Sequence, residues 1–225
     1  MSRNSLLPAL VLCFLAAFSA PASGAQEFSR VLVNEPVWSY RPPRKEVPPY
    51  SAVLDDAHHE LIGLGESQEA RLPLTSAETR DVLTLLGLAP RIRFGENDDS
   101  LFCYSSARKG DATAVVFVVY PDSLISVDVH SDVSRIVQGE RRCMPTRSVS
   151  AAVRTKGGLR LGLTRAKVRT MFGPPHRTLG RGYLYFSERT SKPGEFGQTQ
   201  VRSIHIWFGG DNRVDGFAIK AQNLD

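Results

Sequence analysis

Ser126, Asp128 and His130 alternate along SLISVDVH (Ser123 to His130), so on a strand they share one face. A hydroxyl, a carboxylate and an imidazole are the parts of a hydrolytic triad. Strung two residues apart along a single strand, they do not bring nucleophile, base and acid into the hydrogen-bond geometry that chemistry requires. The densest titratable run is DDAHHE, Asp55 to Glu60. Neighbouring histidines point to opposite sides of a strand, or about 100° apart on a helix, and so make a poor chelating pair. This run reads as a solvated loop. No HExxH, GxSxG, CxxC or phosphate-cradling glycine loop occurs. Catalytic residues, metal ligands and cofactors are therefore all assigned as none.

Binding residues are better supplied. In YLYFS (Tyr183 to Ser187), Tyr183 and Tyr185 point one way and Leu184 and Phe186 the other. In SIHIWF (Ser203 to Phe208), Ile204, Ile206 and Phe208 should meet a helix, leaving His205 and Trp207 opposite. One sheet face is expected to gather Tyr183, Tyr185, His205 and Trp207, joined by Phe217 and by Arg202 at the rim. Trp, Tyr and Arg dominate interface energetics, so these six are the candidate partner surface. The competing reading is internal packing, with this face covered by another part of the chain. The corresponding face of the first half would carry Phe102, Tyr104, Val116 and Val118.

Both sets of strands are preceded by a similar signal. RLPLT (Arg71 to Thr75) returns 89 positions later as RLGLT (Arg160 to Thr164), each followed by helical spacing of apolar residues. Thr75 with Glu78 forms a capping-box pattern, Thr164 is a second N-cap, and Gly87 and Gly173 stop the two helices. Strand-like LFCYSS, AVVFVVY and SLISVDVH follow the first helix, and YLYFS, SIHIWF and RVDGFAIK follow the second. The order of these matches reads as an internal duplication. The expected fold class is α+β, with two tandem helix-plus-antiparallel-sheet units at residues 69–147 and 148–225.

The N-terminus carries Arg3, an apolar run from Leu6 to Phe18 and then small residues, the pattern of a signal peptide over residues 1–25. That run is shorter than the roughly 20 residues a spanning helix needs. Residues 26–68 follow as a Pro-rich extended segment, with Pro36, Pro42, Pro43, Pro48 and Pro49. Trp38 and Tyr40 suit a strap laid on the domain better than a bare linker. Loss of residues 1–25 leaves 27 basic against 23 acidic residues, a charge of +4 with no concentrated basic stripe. That pattern argues against a nucleic-acid partner, and no later apolar run is long enough for integral membrane insertion. Export also leaves two cysteines, Cys103 and Cys143, in an oxidising compartment, where they are expected to pair, with Cys103 facing the helix.

The run GGLRLGLTRAKVRTMFGPPHR, with YLYF and IHIWFGGDNRVDGFAIK behind it, resembles the SmpA/OmlA family of small lipoproteins of bacterial outer-membrane assembly. Gly162, Thr164, Val168, Phe172, Gly173, Pro175, Tyr185 and Val214 occupy the matching positions. Used in tandem, the unit also resembles the architecture of secreted β-lactamase-inhibitor proteins. The resemblance implies a periplasmic or secreted bacterial binding protein with a protein partner. The alternatives in function are an uncharacterised hydrolase and a small-ligand-binding periplasmic protein.

Overall fold

The computed structural model describes residues 56–74, 76–93, 100–120, 122–135, 143–190 and 199–224. The signal-peptide reading, Thr75 and the Pro-rich segment up to residue 55 lie outside the described residues. Asp56 to Leu64, grouped with that segment above, belongs to the folded body. It forms a 3-10 turn (Asp56–His59) and strand β1 (Glu60–Leu64). β1 is the middle strand of a small antiparallel sheet, between β2 (Ala70–Pro73) and β8 (Arg154–Thr155).

The remaining strands make one large sheet. Helix α1 (Thr79–Leu86) is followed by β3 (Ile92–Arg93), β4 (Ser100–Ser106), β5 (Ala114–Tyr120) and β6 (Ser123–His130). After β7 (Met144–Thr146), helix α2 (Arg165–Phe172) leads to β9 (Arg177–Leu179), β10 (Gly182–Thr190), β11 (Thr199–Phe208) and β12 (Val214–Leu224). The strand order is β3-β4-β5-β6-β12-β11-β10-β9, with β7 parallel to β4 at one edge. Pairing of β6 with β12, from Ser126↔Lys220 to His130↔Gly216, fuses the two halves.

This overturns the expected fold class. The described residues are mostly β, with two eight-residue helices, and they do not divide into two α+β units. The apolar core is continuous too. It runs from Leu61 and Leu72 of the small sheet through Val82, Phe117 and Val127 to Val168, Ile206 and Ile219. Both helices and the small sheet pack on one face of the large sheet, termed here the core face.

The helices form where apolar side chains recur four residues apart: Val82 and Leu86 in α1, Val168 and Phe172 in α2, all buried. Thr164 caps α2 as expected, its hydroxyl accepting from the Lys167 N–H at 3.2 Å. The cap of α1 was misplaced by three residues. Its N-cap is Glu78, whose own N–H donates to the Asp81 carboxylate at 2.8 Å. RLPLT and RLGLT are thus out of step with the helices behind them. Each helix N-terminus then docks on the last hairpin of its half, the Thr79 and Arg165 N–H groups donating to the carbonyls of Asp122 and Asn212.

The helix ends share a device that sequence matching did not reveal. Gly87 and Gly173 close the helices at φ 89° and 76°, a region glycine adopts at no steric cost. A buried tyrosine then donates to each glycine carbonyl: Tyr104 to Gly87 at 2.7 Å and Tyr185 to Gly173 at 3.1 Å. Burial pushes both phenols up to about 12, so they remain neutral donors across the ordinary pH range. Tyr104→Phe and Tyr185→Phe should each cost about 1 kcal/mol, leaving a helix-end carbonyl short of its donor. Urea midpoints equal to the parent's would show that the two hydroxyls do not hold the helices to the sheet.

Candidate functional site

Register decides which candidate residues meet. β10 pairs with β11 so that Tyr183 opposes Ile206 and Tyr185 opposes Ile204. Directly opposed residues share a face, so both tyrosines lie on the core face with the isoleucines. They are 6% and 2% exposed. Tyr183 packs edge-on against Phe208, and the Arg165 guanidinium sits 5.2 Å from its ring. Phe217 opposes Ile206 and Val129 and is fully buried in the same core. Arg202 is also buried, and its guanidinium bonds Asp56 at 2.7 Å, clipping the 3-10 turn to the sheet. Tyr183, Tyr185, Phe217 and Arg202 therefore stabilise the fold and form no open partner surface. The same correction holds in the first half: Phe102 and Tyr104 face the core, away from Val116 and Val118.

His205 and Trp207 stay together on the other side, here the outer face. The β6–β12 pairing brings them toward Asp128 and His130, a juxtaposition sequence reasoning missed. Asp128, Ala218, His205 and Leu184 form one row across four strands, and His130, Gly216, Trp207 and Gly182 form the next. Small Gly216 and Ala218 on the central strand leave room for the flanking side chains to lean inward. The Trp207 ring sits 4.2 Å from that of His205 and stacks with His130 at 5.9 Å. One signal was available in the sequence: Ser126, Asp128 and His130 alternate with apolar residues, marking one polar face of a strand whose other face is apolar.

The electrostatics of this face follow from burial. Asp128 is 7% exposed, and desolvation pushes its carboxyl up to about 7, against the opposing effect of the Ser126 hydroxyl, which donates to it at 3.1 Å. Burial likewise depresses the His205 imidazole to about 4, and its ring nitrogens find no hydrogen-bond partner among the described residues. From about pH 4 to about pH 7 the Asp128–Ala218–His205 row is thus polar but uncharged. Ser126 is spent on a carboxyl rather than on an imidazole, which is not the order of a hydrolytic triad. Among the described residues no group of three or more His, Cys, Asp or Glu could hold a metal ion.

The chain matches no protein-family model, no curated protein and no solved structure.

The histidines of DDAHHE do diverge, but the solvated-loop reading was wrong, because both are buried. His58 packs on Phe172 and lies so close over Gly157 that a Cβ there would collide with its ring. His59 turns the other way and donates through Nε2 to the Lys220 carbonyl at 3.1 Å. The pair anchors the 3-10 turn to the body.

Cys103 and Cys143 form a disulfide with a Cα–Cα distance of 4.6 Å. Cys103 faces away from the helices, in a small outer cluster with Val116, Cys143, Leu101 and Val133. The parallel β4–β7 ladder pairs Tyr104 with Met144, Ser105 with Pro145 and Ser106 with Thr146. The bond is the next rung of that ladder in the same register. It is compatible with an oxidising compartment. Among the described residues no helix is long and apolar enough to cross a membrane.

Proposed function

We propose that this chain is a periplasmic or secreted bacterial protein that works as a non-catalytic module, binding a protein partner in the envelope through the surface around Trp207. The observation that carries this reading is the exposure of Trp207. Of the six residues expected to form a partner surface, it alone keeps part of its side chain in solvent. It does so on a rigid sheet, flanked by His130 and His205. A partly buried tryptophan held by packed neighbours suits an interface anchor, since its exposed edge binds at small conformational cost. The disulfide and the resemblance of residues 157–220 to small envelope lipoproteins support the compartment. The Ser126 hydroxyl bonds the Asp128 carboxyl and not an imidazole, which supports binding over triad hydrolysis.

The test is affinity capture from a bacterial envelope extract with the mature protein, alongside assays on general esterase, peptidase and glycosidase substrates. A protein retained at stoichiometric amounts, without turnover, is expected. Robust turnover of any of the three substrate classes would overturn the non-catalytic reading.

A further inference from the structure

From Cys143 to Ser187 the chain carries nine lysines and arginines and no aspartate or glutamate. These cations are spaced out along the sequence, and the fold gathers several of them at one edge of the large sheet. β9 (Arg177–Leu179) is the outermost strand there. Among the described residues it pairs only with β10, and all three of its side chains are exposed. Both of its ends are fixed. Before it, the Phe186 N–H donates to His176 Nδ1 at 2.8 Å, and the His176 N–H donates to the Leu184 carbonyl at 3.0 Å. Behind it, Arg165 of α2 donates through Nη2 to the Arg181 carbonyl at 3.2 Å, its guanidinium lying over the Tyr183 and Phe208 rings. Such an edge holds backbone donors and acceptors in a set position, where a further strand can pair with them.

Arginines stand on both sides of this edge. Val168 and Phe172 turn into the core, so Arg165 and Arg169, four residues apart, share the flank of α2 that meets β10. That is the core side, and Arg169 lies close enough to the Tyr185 phenol to act on its charge. On the outer side, Arg177 opposes Leu184 and Leu179 opposes Gly182. Gly182 in turn opposes Trp207, so Leu179, 43% exposed, and Trp207 share one face about 10 Å apart at the usual strand spacing. Only glycine fits between them, because a Cβ there would lie 2.9 Å from His205 Nε2. Among the described residues neither Arg169 nor Arg181, both exposed, has an ion-pair partner. Asp211, on the neighbouring turn, is engaged by Arg213. A second copy of the chain would bring the same arginines to this edge and be repelled. The occupant that suits it has the opposite charge, and the strand edge marks that occupant as a chain rather than a lipid surface. Arginine forks take carboxylates two bonds at a time.

We propose that the β9 edge docks an extended, acidic segment of the protein partner, which adds to the large sheet as a further strand. Side chains of an extended segment alternate between the two sides. Its carboxylates then meet Arg169, Arg177 and Arg181, and an apolar side chain meets Leu179 beside Trp207. This rests on the reading of Trp207 as an interface anchor and names the chemistry of the partner.

The experiment measures fluorescence anisotropy of labelled peptides with the mature full chain at low salt. The probes are a peptide of alternating Glu and Val, the same peptide with alternate backbone nitrogens methylated, and a peptide of alternating Lys and Val. Phosphatidylglycerol vesicles are tested beside them by co-sedimentation. The Glu–Val peptide is expected to bind, and the Lys–Val peptide is not. Arg169→Glu combined with Arg181→Glu should weaken the Glu–Val peptide by about ten-fold or more, and so should methylation of its backbone. Arg169→Gln with Arg181→Gln, which only neutralises the two sites, should show a smaller loss. Melting curves of both variants accompany the titrations. No binding of the Glu–Val peptide, equal binding of its methylated form, undiminished binding by the glutamine variant, or binding of the vesicles alone would overturn the acidic strand. Capture from the envelope extract is a separate readout. Capture through Trp207 without peptide binding would sink only the β9 edge, and turnover of a substrate would sink only the non-catalytic reading.

Discussion

Reduction of Cys103–Cys143 should destabilise the folded protein by about 4 kcal/mol, the chain-entropy value for a closed loop of 40 residues. For a body of this size that corresponds to a fall of roughly 8–16 °C in melting temperature. The structure also says where the loss would start. β7 is three residues long, pairs with β4 in parallel at the sheet edge, and has the disulfide as its first rung. A short edge ladder has little to hold it once the covalent rung is gone. The segment beyond it carries Val149 and Val153, both fully buried, and then β8, which pairs with β1. Fraying at β7 would therefore reach the common core. Scanning calorimetry with and without reductant, with alkylation to show that both thiols are free, measures the effect. An unchanged melting temperature in the fully alkylated protein would refute the anchoring role.

Asp128→Asn should match the parent in stability near pH 4 and exceed it by up to about 4 kcal/mol at pH 8. The Asp128 carboxyl stands at about 7 in the folded protein against 3.8 ordinarily. Between those values the folded chain keeps a proton that the unfolded chain has released, so stability falls as pH rises through the window. A displacement of about three pH units corresponds to about 4 kcal/mol. Asparagine removes the titration and still offers a carbonyl oxygen to Ser126. His205 tilts the other way. Its folded value of about 4 lies below the ordinary 6.5, so its contribution is lost as pH falls through that range. The two slopes oppose each other in the parent, which is why the variant-minus-parent difference is the quantity to plot. Denaturant midpoints at pH 4, 6 and 8 supply it, and a difference independent of pH would show that Asp128 is not desolvated.

These expectations also show what the sequence could and could not reveal. AVVFVVY and YLYFS announce strands, and Gly87 and Gly173 announce helix ends, because local sterics and apolar runs carry those signals. The pairing of Cys103 with Cys143 was legible from the expected export, which would leave only these two cysteines. What failed was the combination of strands. Alternation says which residues of one strand share a face, but not which face of that strand joins which face of its neighbour. In β10 both faces are apolar, so nothing in Tyr183, Leu184, Tyr185 and Phe186 marks the tyrosines as inward. The long link between β10 and β11 leaves the register unmarked as well. Fusion of the halves was hidden for a related reason. β6 meets β12 across more than 80 residues of chain, and a repeat in sequence carries no mark of edge-to-edge pairing. The α1 cap was misread because Thr75 and Thr164 match in type, while backbone geometry chose Glu78 with Asp81. The outer-face group of Asp128, His130, His205 and Trp207 exists only through that β6–β12 pairing.

The central claim is that Trp207 is an interface anchor rather than a core residue, and one paired measurement addresses it: capture by Trp207→Ala and its melting curve, side by side. The expected result is loss of at least ten-fold in captured partner with a melting temperature lower by only a few degrees, because the side chain is partly in solvent. A core tryptophan would instead cost about 3–5 kcal/mol on truncation. Undiminished capture, or a collapse of the melting transition on that scale, would contradict the account.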